Sequence, residues 1–159
     1  MKELNTDRID LILCKFFKDM GFPCATGLDT DFYYYPESIS IGYALVVSER
    51  TARLFPEFAK ANGLQYETPI FILCLLHELG HHYTMDLFGD DELCDYFKQK
   101  NLLGDSDEDF VTYFGIPDEY EATMWAINFI NTHPSQIKLL DISLNQAFEE
   151  FKAVNGIED

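Results

Sequence analysis

The chain has 159 residues, of which 47% are apolar and 15% aromatic, a composition that predicts a folded globule with a substantial core. Its 11 basic and 28 acidic side chains give a formal net charge of −17, which opposes binding to nucleic acid phosphates and to anionic membranes. The four cysteines lack Cys-x-x-Cys spacing, and residues 1–8 are too charged for a signal-peptide core. We therefore expect a cytoplasmic protein with reduced cysteines, in which Cys14 and Cys74 are small buried apolar residues.

The first part of the chain predicts a helix followed by a small sheet. Apolar residues recur at helical spacing from Asp7 to Met20, which favours an amphipathic helix. A loop rich in turn-forming residues follows, and then Phe32–Tyr35 and Ile39–Val47 have the composition of a β-hairpin or small antiparallel meander. Ser48 is placed to begin a second helix, which Asn62-Gly63 ends.

The remainder of the chain predicts helices. Thr68 and Pro69 supply an N-cap and a first-turn proline for an apolar helix that runs to about Phe88. Further helical segments are predicted at Glu92 to Lys100, Asp107 to Phe114, Pro117 to Ile130 and Ser135 to Val154. The sequence thus predicts one α+β domain over residues 1–159, dominated by helices, with a small antiparallel sheet before the apolar helix.

The apolar helix carries the chemically most informative motif, His77-Glu78-Leu79-Gly80-His81. Residues four apart share a helix face, so the two histidines can bind one metal ion, with Glu78 as general base toward its water. This is the His-Glu-x-x-His pattern of zinc hydrolases. The alternative interpretation is an ordinary helix without a metal site, in which the two histidines are partly buried and the glutamate lies on the surface. Gly80 costs the helix about 1 kcal/mol relative to alanine, which close approach of another backbone or a substrate would explain.

Two histidines bind zinc weakly, so a third ligand is needed, and two acidic segments compete for this role. The Asp90–Asp95 patch follows the motif closely and has the composition of a solvent-facing segment. The helix from Pro117 offers Glu119 and Glu121, which lie about 200° apart around a helix, so only one can face the ion. Glu119 shares its face with small side chains that would permit close packing: Ala122, Thr123 and Ala126. Acidic residues in a first helical turn also occur simply because they favour the helix dipole.

Together, the motif and the later segment Glu119-Tyr120-Glu121-Ala122 with Trp125-Ala126 resemble the ImmA/IrrE family of metallopeptidases. That family combines HELGH with a later Glu-x-Glu-Ala-Asn-x-Phe-Ala pattern; here Thr123 replaces the asparagine and Trp125 the phenylalanine. The resemblance implies a zincin-like fold with a short helix, a small antiparallel sheet, the motif helix and a glutamate helix. It also implies Zn2+ bound by His77, His81 and Glu121, with Glu78 as the catalytic base.

We therefore predict a zinc-dependent metallopeptidase that hydrolyses a peptide bond in a protein partner, for which the resemblance implies a repressor-type regulator of a phage or mobile element. The alternatives are a catalytically silent zinc-bound protein-interaction module and an acidic DNA-mimicking interaction protein. Neither direct nucleic acid binding nor membrane binding is expected. A tyrosine or histidine often stabilises the oxyanion at such sites, and the sequence leaves four candidates open: Tyr83, Tyr113, Tyr120 and His133.

Overall fold

The computed structural model describes residues 4–157, and over this range the chain forms seven α-helices and three short strands. In chain order these are α1 (Asp7–Met20), β1 (Ala25–Leu28), β2 (Tyr33–Tyr35), β3 (Ser40–Tyr43), α2 (Glu49–Ala61), α3 (Ile70–Thr84), α4 (Asp90–Asn101), α5 (Asp107–Gly115), α6 (Pro117–Thr132) and α7 (Pro134–Asn155). A short 3-10 turn, Met85–Leu87, follows α3. The helix-dominated α+β class predicted from the sequence is confirmed.

The small sheet has the strand order β1-β3-β2 and is mixed rather than wholly antiparallel. Strands β2 and β3 form the predicted antiparallel pair, with Tyr34 opposite Ile41. Strand β1, which the sequence predicted as a loop because it is rich in turn formers, pairs in parallel with the other edge of β3, placing Thr26 opposite the same Ile41. The Asp29 N–H extends this pairing by donating to the Tyr43 carbonyl at 2.8 Å.

Helix α3 lies at the centre of the fold. Every residue from Phe71 to His77 is buried, as expected for a helix that is apolar on all sides. It packs along α6, and also contacts α2 and the strands β2 and β3. The motif residues therefore lie on the most deeply buried helix, and their neighbours are fixed by core packing.

At Gly80 the backbones of α3 and α6 approach each other closely. A Cβ atom at this position would overlap the backbone carbonyl of Ala122 in α6, so the two backbones touch where α3 has no side chain. The close approach expected from the sequence is thus confirmed, and the neighbouring element is α6. This contact determines which face of α6 is directed toward the motif.

Among the outer elements, the expectation of a solvent-facing segment at Asp90–Asp95 agrees with the structure, and the expected burial of Cys14 does not. None of the α4 residues, all of which are described, is buried. Cys14 is exposed on α1, whereas Cys74 is buried as expected; the α1 stripe buries Ile9, Leu13 and Phe17 and leaves Cys14 outside it. Within residues 4–157, no helix combines the length and apolar character needed to cross a bilayer.

Candidate metal centre

Three side chains from α3 and α6 converge at the centre of the fold. One carboxylate oxygen of Glu119, Oε1, lies 3.0 Å from His77 Nε2 and 3.1 Å from His81 Nε2. The potential ligand atoms of the three residues all lie within 4.8 Å of one another. Within residues 4–157, these three residues form the group of histidine and acidic side chains that could hold a metal ion. Two imidazole nitrogens and one carboxylate oxygen form a donor set typical of catalytic zinc sites. The residues present therefore fit a metal ion.

Thr123 fixes the orientation and the tautomer of His77. Its hydroxyl donates to the Glu119 carbonyl at 3.0 Å, one helical turn earlier. Having only one proton, the hydroxyl must then accept from His77 Nδ1, which lies 2.9 Å away. The hydrogen-bond network thus assigns the ring proton to Nδ1 and leaves the Nε2 lone pair facing Glu119 Oε1. A second ring proton or a metal ion must lie between these two atoms, because facing lone pairs repel.

The electrostatics of the group favour a positive charge among the three side chains. Burial alone would raise the pKa of Glu119, but the charge of His81 and hydrogen bonds from both histidines lower it well below its usual range. Burial alone would lower the pKa of His81, but the charge and hydrogen bond of Glu119 raise it. The carboxylate therefore stays ionised in a buried position, where its charge needs a cationic partner.

Glu121, which the family pattern assigned as the third ligand, lies outside this group. It is only partly buried, whereas Glu119 is 4% exposed and faces both histidines. The Gly80–Ala122 contact turns the small-residue face of α6 toward α3, and this face carries Glu119 and Thr123. We therefore correct the candidate third ligand from Glu121 to Glu119.

Glu78 lies beside the group and lines a cavity of about 240 Å3 together with His77 and Glu119. Burial raises the pKa of the Glu78 carboxyl, although the charges of His77 and His81 oppose this shift. A hydrogen bond from the Tyr34 backbone on β2 also lowers the pKa of this carboxyl, but burial has the larger effect. The predicted base is therefore placed at an accessible edge of the three converging side chains and has a raised proton affinity.

The cavity is lined by both apolar and polar side chains, from the loop before β2, the segment after β3 and the helices α2, α3, α5 and α6. Its apolar lining includes Phe32, Ala44, Val46, Val47, Phe55 and Phe114. Of the four oxyanion-donor candidates, Tyr113 is the one among the described lining residues of this cavity. Burial raises the pKa of its phenol, so the phenol keeps its proton. Tyr83 instead stacks on Trp125, and His133 stacks on Phe129.

The contacts of several residues near the site were not predicted from the sequence. Thr123 carries a detectable signal, because it lies four residues after Glu119 and hence on the same helix face. His82 is partly buried, and its Nδ1 lies 2.7 Å from the Tyr34 hydroxyl. Lys100, which contacts Glu119 from α4, carries no local signal because the contact depends on how two separate helices pack.

Comparisons of the chain with known protein families, with curated proteins and with solved structures find no match. The resemblance to the ImmA/IrrE family accordingly rests on the motif residues and stays a prediction. What the geometry establishes is a buried group of His77, His81 and Glu119 that could hold a metal ion, beside Glu78 and a cavity.

Proposed function

We propose that this protein is a zinc-dependent metallopeptidase that cleaves a peptide bond in a protein partner. One observation carries the proposal: Glu119 Oε1 faces the Nε2 atoms of His77 and His81, while Glu78 lines the adjoining cavity. A buried His-His-Glu group could serve a structural metal, but a structural zinc site usually has four protein ligands and no adjoining cavity. Three ligands beside a cavity fit a catalytic ion better.

Zinc held by these residues would supply a Lewis acid for the peptide carbonyl and for the attacking water. Glu78 accepts the proton that the water loses and later donates it to the leaving amide nitrogen. Its raised pKa favours the first step, because a carboxylate with higher proton affinity is the stronger base. Tyr113 keeps its phenolic proton and can donate a hydrogen bond to the carbonyl oxygen as negative charge develops there.

The cavity supports a peptide as the substrate class. Its volume of about 240 Å3 is smaller than the roughly 300–1,000 Å3 of sites that enclose a whole drug-sized ligand. The apolar part of its lining suits one hydrophobic side chain of an extended segment whose backbone passes Glu78. The net charge of −17 favours a partner with basic residues around that segment. The resemblance adds a repressor-type regulator as the candidate partner.

The test combines metal content with cleavage of a peptide library. The purified wild type, Glu78→Gln and His81→Ala variants are loaded with zinc, freed of excess metal and measured by elemental analysis. We expect about one zinc per chain in the wild type and in Glu78→Gln, and loss of zinc in His81→Ala, because Glu78 is not a ligand. Cleavage products detected by mass spectrometry should appear with the wild type alone and disappear with a chelator.

A wild type that takes up no zinc would refute the metal site. A Glu78→Gln variant that cleaves as fast as the wild type would refute the role of Glu78.

A second candidate function is a catalytically silent zinc-bound protein-interaction module. It is favoured by exposed apolar side chains on and around α4, where Leu87, Phe97 and Leu102 are 64%, 64% and 86% exposed. Large apolar side chains exposed to solvent can contribute to protein-binding surfaces. This module would bind zinc but leave the library intact, and wild type and Glu78→Gln would capture the same partners equally well.

A further inference from the structure

Lys100 contacts the candidate metal ligand from outside the group. Its Nζ atom lies 2.6 Å from Glu119 Oε2 and 2.6 Å from Asp118 Oδ2. The side chains of Lys100 and Glu119 are only 18% and 5% exposed, so water screens this ion pair weakly. The two oxygens of the Glu119 carboxylate are thus divided: Oε1 faces the histidines, and Oε2 is bonded to Lys100.

We propose that Lys100 is a positioning residue that restricts Glu119 to one-oxygen coordination of the metal ion. This inference rests on the proposed function, because it concerns the same site. A carboxylate with both oxygens free can bind a metal through both and fill an additional coordination position. With Oε2 held by an ammonium group, Glu119 supplies one ligand atom, and a position stays open for water and substrate.

The position of Lys100 is itself well determined. Its ammonium group lies 5.6 Å from the centre of the Tyr113 ring, within the range of a cation–π contact. Asp118, which precedes Glu119 in the first turn of α6, also binds the ammonium group, and its carboxylate accepts a hydrogen bond from the Glu119 N–H at 3.0 Å. The cation is therefore fixed between α4, α5 and the first turn of α6, and Glu119 is oriented at both its backbone and its carboxylate.

A simpler role for Lys100 would be a tether that attaches α4 to α6. The two roles differ in what they affect. A tether contributes to stability and leaves the coordination of the metal unchanged, whereas a positioning residue determines how many Glu119 oxygens reach the ion. A spectroscopic measurement of coordination therefore distinguishes them without any measurement of activity.

The experiment loads the full chain with cobalt(II), whose visible absorption is strong in four-coordinate and weaker in five-coordinate sites. Lys100→Met is compared with the wild type and with Lys98→Met, a matched control that removes an exposed lysine of the same helix. Lys100→Gln is prepared as a second variant in case Lys100→Met does not fold, and circular dichroism checks the folding of each protein. We expect the wild type and Lys98→Met to share one strong spectrum, and both Lys100 variants to lose intensity and shift their bands.

Identical spectra for wild type and a folded Lys100 variant would overturn the positioning role while leaving the metal site intact. A change of equal size in Lys98→Met would also overturn it, since the effect would then reflect charge alone. A wild type that binds neither cobalt(II) nor zinc would overturn the proposed function together with this inference, so the two failures are distinguishable.

Discussion

At the scale of single residues, the choice between two glutamates on α6 is the clearest test of the site. We expect Glu119→Gln to lose zinc and Glu121→Gln to retain it, because only Glu119 brings an oxygen within 3.1 Å of both histidines. A competition titration with a chromogenic chelator measures both affinities, and the two variants serve as each other's control. Zinc release by Glu121→Gln alone would restore the assignment taken from the family pattern.

Thr123 offers a second residue-scale test, because its hydroxyl accepts a hydrogen bond from His77 Nδ1–H while donating one to the α6 backbone. Thr123→Val keeps the shape of this fully buried side chain but removes the acceptor. Loss of a partner that orients a metal-binding histidine typically costs about 10–100-fold in metal affinity or activity. We expect a loss of that size in zinc affinity, whereas Thr123→Ser, which keeps the hydroxyl, should stay near wild type. Equal affinities for the valine and serine variants would contradict this role of the hydroxyl.

At the scale of elements, Gly80 determines the spacing of α3 and α6. Gly80→Ala would force the new methyl group against the Ala122 carbonyl, and overpacking of this kind costs about 1–3 kcal/mol. The helix propensity of alanine returns about 1 kcal/mol, so we expect a net loss of stability and weaker zinc binding, measured by urea unfolding and chelator competition. The control is Gly115→Ala in α5, where an added Cβ meets nothing within 4 Å. A Gly80→Ala variant as stable as Gly115→Ala would show that the close approach is not limiting.

The same elements show what a sequence can and cannot predict. The bounds of α1 and α6 agree with prediction to within two residues, because their apolar spacing and terminal signals are local. Strand β1 was missed, since its pairing depends on the free edge of β3 and not on its own composition. The register of α6 against α3 likewise depends on tertiary packing and not on the local sequence of either helix. The motif itself therefore predicted His77 and His81, whereas the small-residue face of α6 only favoured Glu119, and the choice required knowing which face packs on Gly80.

At the scale of the whole molecule, the net charge of −17 determines which polymers can approach. Binding to DNA gains affinity from the release of counterions when basic residues neutralise phosphates, and this chain has 11 basic residues against 28 acidic ones. We expect no change in the fluorescence anisotropy of a labelled duplex at physiological salt over micromolar protein concentrations. A basic DNA-binding protein is the positive control. Anisotropy that rises with protein and falls with added salt would contradict the expectation.

The absence of buried residues in α4 has a consequence for local unfolding. A helix that contributes little to the core can open at a lower free energy than the rest of the molecule. Its amide hydrogens should therefore exchange with solvent sooner than those of α3 and α6, which carry the core. Because Lys100 leaves Glu119 when α4 opens, metal binding and the opening of α4 should influence each other. Exchange protection in α4 would then report metal occupancy at a distance from the ion.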